Sequence, residues 1–296
     1  MVLQYKKRGV YMKYAALMFD IVESRHYESR YEVQQLLMNS VGYLNEMYKH
    51  DIKKEVISSA GDEFQGLFLN LQSAFLYIRK LQLLVYPVKV RCGIGYGEIK
   101  YDEDGWSSSA FDGEAYYLAR DAIIEASHRK SNALIFNTKS RYDKYLNMLC
   151  FASIDIKLRQ SQIAHWIELL SDIILPMRQL NEDPEFYDFV LHLRNRVIES
   201  DRWNRVTGRP REVEATKTDF LYLFDIRRDL FYREDYNNQY FVEDFWVHGM
   251  STIIAQAMDT SRQNVDRYMS LGKIKESRTM DKTIYEFLGE EIWQTF

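Results

Sequence analysis

The stretch "SSAGDEFQGLF", Ser58 to Phe68, decides the fold of this chain. A small residue and a glycine lead into two acids, and an apolar run follows. Gly61-Asp62 marks a tight turn, so "KKEVISSAGDEFQGLFLN" reads as a hairpin of two strands. Acids in a buried hairpin cost free energy unless something pairs with them. The question is what Asp62 and Glu63 face.

Upstream, "KYAALMFDIV" (Lys13 to Val22) is a short apolar run interrupted by Asp20, the pattern of a buried central strand. "SRYEVQQLLMNSVGYLNEMY" between them has apolar residues at helical spacing. Downstream, "LQSAFLYIRKLQLLVY" predicts a second amphipathic helix. "VKVRCGIGYGEIKY" predicts a strand with glycines at 93, 95 and 97 on one face. Glycines at that period predict close approach by another backbone or by a ligand. A loop, "DEDGWSSSAFDG", a helix over 113–127 and a last strand, "NALIFN", complete the order βαββαβαβ. That order predicts an α/β (α+β) domain: a ferredoxin-like antiparallel sheet with helices on one face.

The chain has 296 residues, 46% of them hydrophobic, enough for a sizeable core or two domains. Its formal net charge of −4 excludes a uniformly basic nucleic-acid binder, so any basic surface is local. Cys92 and Cys150 form no CxxC pair, which fits a reducing, cytoplasmic setting. No apolar run approaches the roughly 20 residues of a membrane span. The N-terminus lacks the long apolar core of a signal peptide. The arginine-rich segment "LRNRVIESDRWNRVTGRPRE" (Leu193 to Glu212) reads as a solvated helix face or a phosphate-facing patch.

The segment "MSTIIAQAMDTSRQNVDRYMSLGKIKESR" carries the spacing of a helix-turn-helix. Ala255 sits where two helices cross closely, Asp259 where the turn needs an unusual backbone, and Val265 where a side chain fills the gap between helices. Ser261 is placed to cap the second helix. The outward face would then carry Arg262, Gln263, Asn264 and Arg267, which suit major-groove base edges. Lys273, Lys275 and Arg278 follow, as phosphate contacts or on a β-wing. From Trp246 to Tyr285 there are six Lys/Arg against four Asp/Glu, a local excess of two positive charges.

Asp20 and Asp62 would lie side by side at the end of the sheet. Like charges that close need a cation between them. A hard divalent ion, Mg²⁺ or Mn²⁺, carried on a nucleotide's phosphates suits an all-oxygen set.

"FDIVESR", "GDEFQGLF", "RCGIGYGEI" and "AFDGEAYYLAR", in this order and spacing, resemble the SatD family. More distantly they resemble the palm of class III nucleotidyl cyclases and of GGDEF diguanylate cyclases. The resemblance covers about Tyr14 to Phe136, and a SatD-type chain continues into a C-terminal helix-turn-helix. It implies metal roles for Asp20 and Asp62. It also places the backbone of Ile21, Val22, Glu23 and Ser24, with Arg120, near a nucleotide. The cyclase pattern is incomplete: Ala60 precedes Gly61, Ile57 stands where a purine-selecting Lys is expected, and Tyr117 and Asp121 stand where charge-stabilising Asn and Arg are expected.

The sequence thus predicts a palm over 1–140, a helical connector over 141–240 and a helix-turn-helix unit over 241–296. The leading expectation is a cytoplasmic, homodimeric regulator that binds double-stranded DNA and carries a catalytically degenerate, nucleotide-binding palm. Alternatives are an active nucleotidyl cyclase or nucleotidyltransferase localised by its helix-turn-helix, and a protein-docking module.

Overall fold

Strand β1 (Lys13–Ile21) is buried on both faces, and the sheet is built around it. Ala15, Leu17, Phe19 and Ile21 join the main core, while Tyr14, Ala16 and Met18 join a second cluster on the opposite face. This two-sided burial is why the strand reads as a continuous apolar run. The computed structural model describes residues 12–99, 113–128, 133–200, 218–231 and 249–293. The loop over 102–112, most of the arginine-rich stretch after residue 200 and the start of the expected C-terminal unit lie outside the described residues.

Helix α1 (Arg30–Met47), the hairpin of β2 (Ile52–Ala60) and β3 (Glu63–Phe68), α2 (Leu71–Val85), β4 (Val90–Glu98), α3 (Glu114–His128) and β5 (Leu134–Asn137) follow in the expected order. The sheet order is β2-β3-β1-β4-β5. β1 pairs antiparallel with β3 and β4, so two split βαβ units interlock, and the fold is α+β. Phe19 and Phe64 stack across the β1–β3 pair with ring centroids 5.0 Å apart.

Two features differ from the sequence expectation. β5 joins β4 in parallel, so the sheet is mixed. Helix α3 covers the face opposite α1 and α2, so helices lie on both faces. The glycines of β4 explain this. A Cβ at Gly95 would lie 2.2 Å from the Ala115 carbonyl oxygen and 2.3 Å from the Ala119 nitrogen. One at Gly93 would lie 2.4 Å from the Ile123 nitrogen. The close approach foreshadowed by the glycine period is made by the backbone of α3, where Ala115, Ala119 and Ala122 keep the helix surface small.

The rest is helical: α4 (Asp143–Leu158), α5 (Gln162–Ile174), α6 (Pro184–Ser200), α7 (Phe220–Phe231), α8 (Met250–Ala257), α9 (Arg262–Leu271) and α10 (Ile274–Leu288). Every residue of α5 from Ala164 to Ile174 is buried, the polar His165, Glu168, Ser171 and Asp172 included, so other elements wrap this helix on all sides. One contiguous hydrophobic cluster runs from β1 and α2 through α5 to α8, α9 and α10. The stretches predicted as palm, connector and C-terminal unit therefore share a core.

A buried ionic network spans the same seam. Arg79 reaches Asp172 and Asp281, both at 2.6 Å. Lys80 reaches Asp172 at 2.9 Å and Glu182 at 3.0 Å. Lys157 adds a contact to Asp281 at 2.6 Å, and Arg278 one to Asp172 at 3.3 Å. Arg79, Lys80, Asp172, Arg278 and Asp281 are all buried. Burial alone would push the Asp172 carboxyl up, but Arg79, Lys80 and Arg278 outweigh it and hold it well below the ordinary range. Arg194, expected on a solvated or phosphate-facing surface, is also buried, its guanidinium 4.6 Å from the Trp166 ring centroid.

Candidate functional site

Register places the carboxylates at the end of the sheet. Asp20 on β1 pairs with Glu63 on β3 and with Arg91 on β4, and paired residues of antiparallel strands project to the same face. Asp62 sits one residue before β3, in the turn that Gly61 opens at φ 63°. The expected neighbour of Asp20 was Asp62; the acid directly opposite it in the sheet is Glu63, with Asp62 one position earlier. The cation beside them is a side chain the sequence reading did not single out. Arg91 grips Asp20 with both arms, Nε to Oδ1 at 2.6 Å and Nη2 to Oδ2 at 2.9 Å. Arg120 on α3 donates from Nη1 to Oε2 of Glu63 at 3.1 Å, and Ser59 Oγ donates to its Oε1 at 3.2 Å. Burial raises the Asp20 pKa, the Arg91 contacts oppose the rise, and Asp62 and Glu63 reinforce it. Arg91 was findable in principle: it is the one basic residue within the strand "VRCGIGYGE".

This donor set was tested against the divalent ion that the resemblance implies. Both Asp20 oxygens are engaged by Arg91, and both Glu63 oxygens accept hydrogen bonds. Arg91 holds Asp20 in a two-point contact, among the stronger pairings a carboxylate makes, so a metal ion at Asp20 would compete with it. Among the described residues no group of three or more His, Cys, Asp or Glu side chains could hold a metal ion. As arranged, Asp20 is engaged by Arg91 and Glu63 by Arg120.

The segment expected near phosphates is partly committed as well. Ile21 is the last residue of β1, paired with Val90. The Val22 amide donates to the Lys89 carbonyl at 2.8 Å. Glu23 takes the left-handed conformation at φ 54°, and Ser24 begins a single 3-10 turn. Tyr117 and Asp121 are exposed on the outer side of α3.

At the other end of the chain, α8 and α9 meet through a four-residue turn. Asp259 adopts φ 50°, the unusual backbone its position requires, and the Thr260 amide donates to the Ala255 carbonyl at 2.9 Å. Ser261 caps α9 by accepting from the Asn264 amide at 3.2 Å. Ala255 and Val265 are buried between the helices. Arg262, Gln263, Asn264 and Arg267 are exposed on α9. Arg262 lies 3.4 Å from Asp266, and the Asn264 amide group reaches Thr260 Oγ1 at 3.3 Å. Lys273 (φ 48°) and Lys275 are exposed where α9 gives way to α10.

Arg278 departs from expectation. It is fully buried, donating to Asp172 and to the Leu175 carbonyl, and so is withdrawn from the set of phosphate contacts. The physical reason is that no β-wing follows α9. The chain turns at once into α10, whose buried side carries Ile274, Ser277, Arg278 and Asp281 against the body.

The sequence model of the SatD family matches residues 14–183, which takes in the whole sheet, α4 and α5. No curated protein matches the chain. No described helix is long and apolar enough to cross a membrane.

Proposed function

The chain belongs to the SatD family, and we propose that it is a DNA-binding regulator whose α8–α9 pair enters the major groove. One observation carries the reading: α9 buries Val265 and Met269 and turns Arg262, Gln263, Asn264 and Arg267 outward along its first turns. Those are donors and amides of the kind that read base edges, at the end of the helix that reaches them. Lys273 and Lys275 lie beyond the helix, where a phosphate is the neighbour.

In this proposal the palm is a catalytically degenerate module. A nucleotide with Mg²⁺ or Mn²⁺ would compete with Arg91 for Asp20, and Tyr117 and Asp121 supply no charge-stabilising pair of the cyclase kind.

The test is a salt titration of affinity on a site selected from genomic fragments and on random duplex. Arg262→Ala is expected to cost about 1–3 kcal/mol on the selected site and to relax base preference there. Lys273→Ala is expected to weaken binding to every duplex alike and to flatten the salt dependence by about one unit of slope. Native protein that binds no duplex, or DNA binding indifferent to both changes, removes the regulator reading. A protein-docking role for α8–α9 would then take its place.

A further inference from the structure

Helix α4 carries two faces. Leu146, Cys150, Ser153 and Ile154 are buried in the body, and Lys157 beside them reaches Asp281 of α10. The opposite side is not a polar surface. Tyr145 is 56% exposed, Met148 66% and Phe151 53%, three large apolar side chains on two successive turns. With roughly 3.6 residues per turn, Lys144, Met148, Phe151 and Asp155 fall in one line, spaced four, three and four apart. That is the spacing of a helix seam, and here it has no partner among the described helices.

The order of chemistry along the line identifies an occupant. Basic, apolar, apolar, acidic is self-complementary when read against itself in reverse. Two copies of α4 packed antiparallel about a two-fold axis midway between Met148 and Phe151 bring Met148 of each onto Phe151 of the other. The same axis sets Lys144 against the second copy's Asp155, twice per pair. An isologous contact requires such a self-complementary patch. Within one copy, the Lys144 ammonium lies 4.7 Å from the Tyr145 ring centroid, and Asp155 pairs with Arg159 at 2.9 Å across an exposed turn. Neither arrangement buries the charge, so both ends are open to an intermolecular partner.

We infer that the outer face of α4 is a homodimer interface, formed by antiparallel two-fold pairing of α4 with its counterpart in a second copy of this chain. The inference goes beyond the DNA-binding reading and does not need it.

Sedimentation velocity of the full chain without DNA, from about 1 to 100 µM, tests it. The native protein is expected to dimerise within that range. Lys144→Asp or Asp155→Lys alone converts two attractions into two repulsions and is expected to weaken association about tenfold. The double exchange, Lys144→Asp with Asp155→Lys, is expected to restore it. All three variants change exposed or half-exposed residues, and equal melting curves would show that each is folded. A native protein that stays monomeric overturns the inference. So does a dimer untouched by both single changes, or one that the double exchange fails to restore.

Discussion

Replacing Asp172 by Asn removes one charge from the buried network while keeping the side chain's shape. Arg79 would keep Asp281, and Lys80 would keep Glu182. Arg278 would lose its nearest carboxylate and keep the Leu175 carbonyl. Breaking a buried pair from one side costs about 3–5 kcal/mol, because the remaining charge is left in a dry environment. That is a large share of the roughly 5–15 kcal/mol that holds a typical fold together. An unfolding entropy of about 2.1 cal/mol/K per residue, over 296 residues, gives about 0.6 kcal/mol/K. Asp172→Asn should therefore lower Tm by about 5–8 °C at pH 7. Because one core joins all parts of the chain, the loss should appear in a single transition. The effect has a pH signature. Asp172 and Asp281 are both held below the ordinary carboxylate value of 3.8, so their contribution is complete above that pH and is lost as pH falls below it. The gap between native and Asp172→Asn proteins should shrink as pH drops below about 4. Scanning calorimetry at pH 7 and at successively lower pH measures both. A variant that melts with the native protein, or a gap that widens in acid, refutes the reasoning.

Three further outcomes are expected. Gly95→Ala forces a Cβ to within 2.2 Å of backbone in α3, and should destabilise by about 1–3 kcal/mol or prevent folding. Gly42→Ala, on α1 with nothing within 4 Å, should instead stabilise by about 0.5–1 kcal/mol; urea unfolding that ranks the two in the other order contradicts the packing described. In the palm, Mg²⁺ with any nucleoside triphosphate should leave the native Tm unchanged and yield no cyclic nucleotide, since Arg91 holds Asp20. Nucleotide turnover that disappears in Asp62→Asn would restore the active-cyclase alternative.

How far the sequence was legible depended on how local each cause was. β1, the hairpin and the helices between them were readable because burial on both faces of β1 and the Gly61-Asp62 turn act within a few residues. The side of the sheet that α3 takes was not, although the glycines at 93 and 95 announced that some backbone came close. The acids of the hairpin were readable as needing a cation. Its identity depended on β4 register, which sets Arg91 opposite Asp20 across 71 residues of chain. Arg278 closes a run of basic residues and so looks like surface, but the Asp172 that draws it inward lies 106 positions away. The outward residues of α9 were readable for the opposite reason: capping, turn and helix period are all local.

The Arg79–Asp281 pairing spans 202 positions, and this separation has a temporal meaning. A ribosome adding about 5–20 residues per second makes Arg79 roughly 10–40 s before Asp281 exists. Asp172 and Glu182 emerge in between and can pair with Arg79 and Lys80, but Arg79 still lacks its second carboxylate. The buried network is therefore complete only once α10 has been made. Since α10 begins two residues after α9 ends, the segment that completes the core arrives joined to the helix proposed to read DNA. A chain cut before α10 would lack both Asp281 and the residues that α10 adds to the shared core.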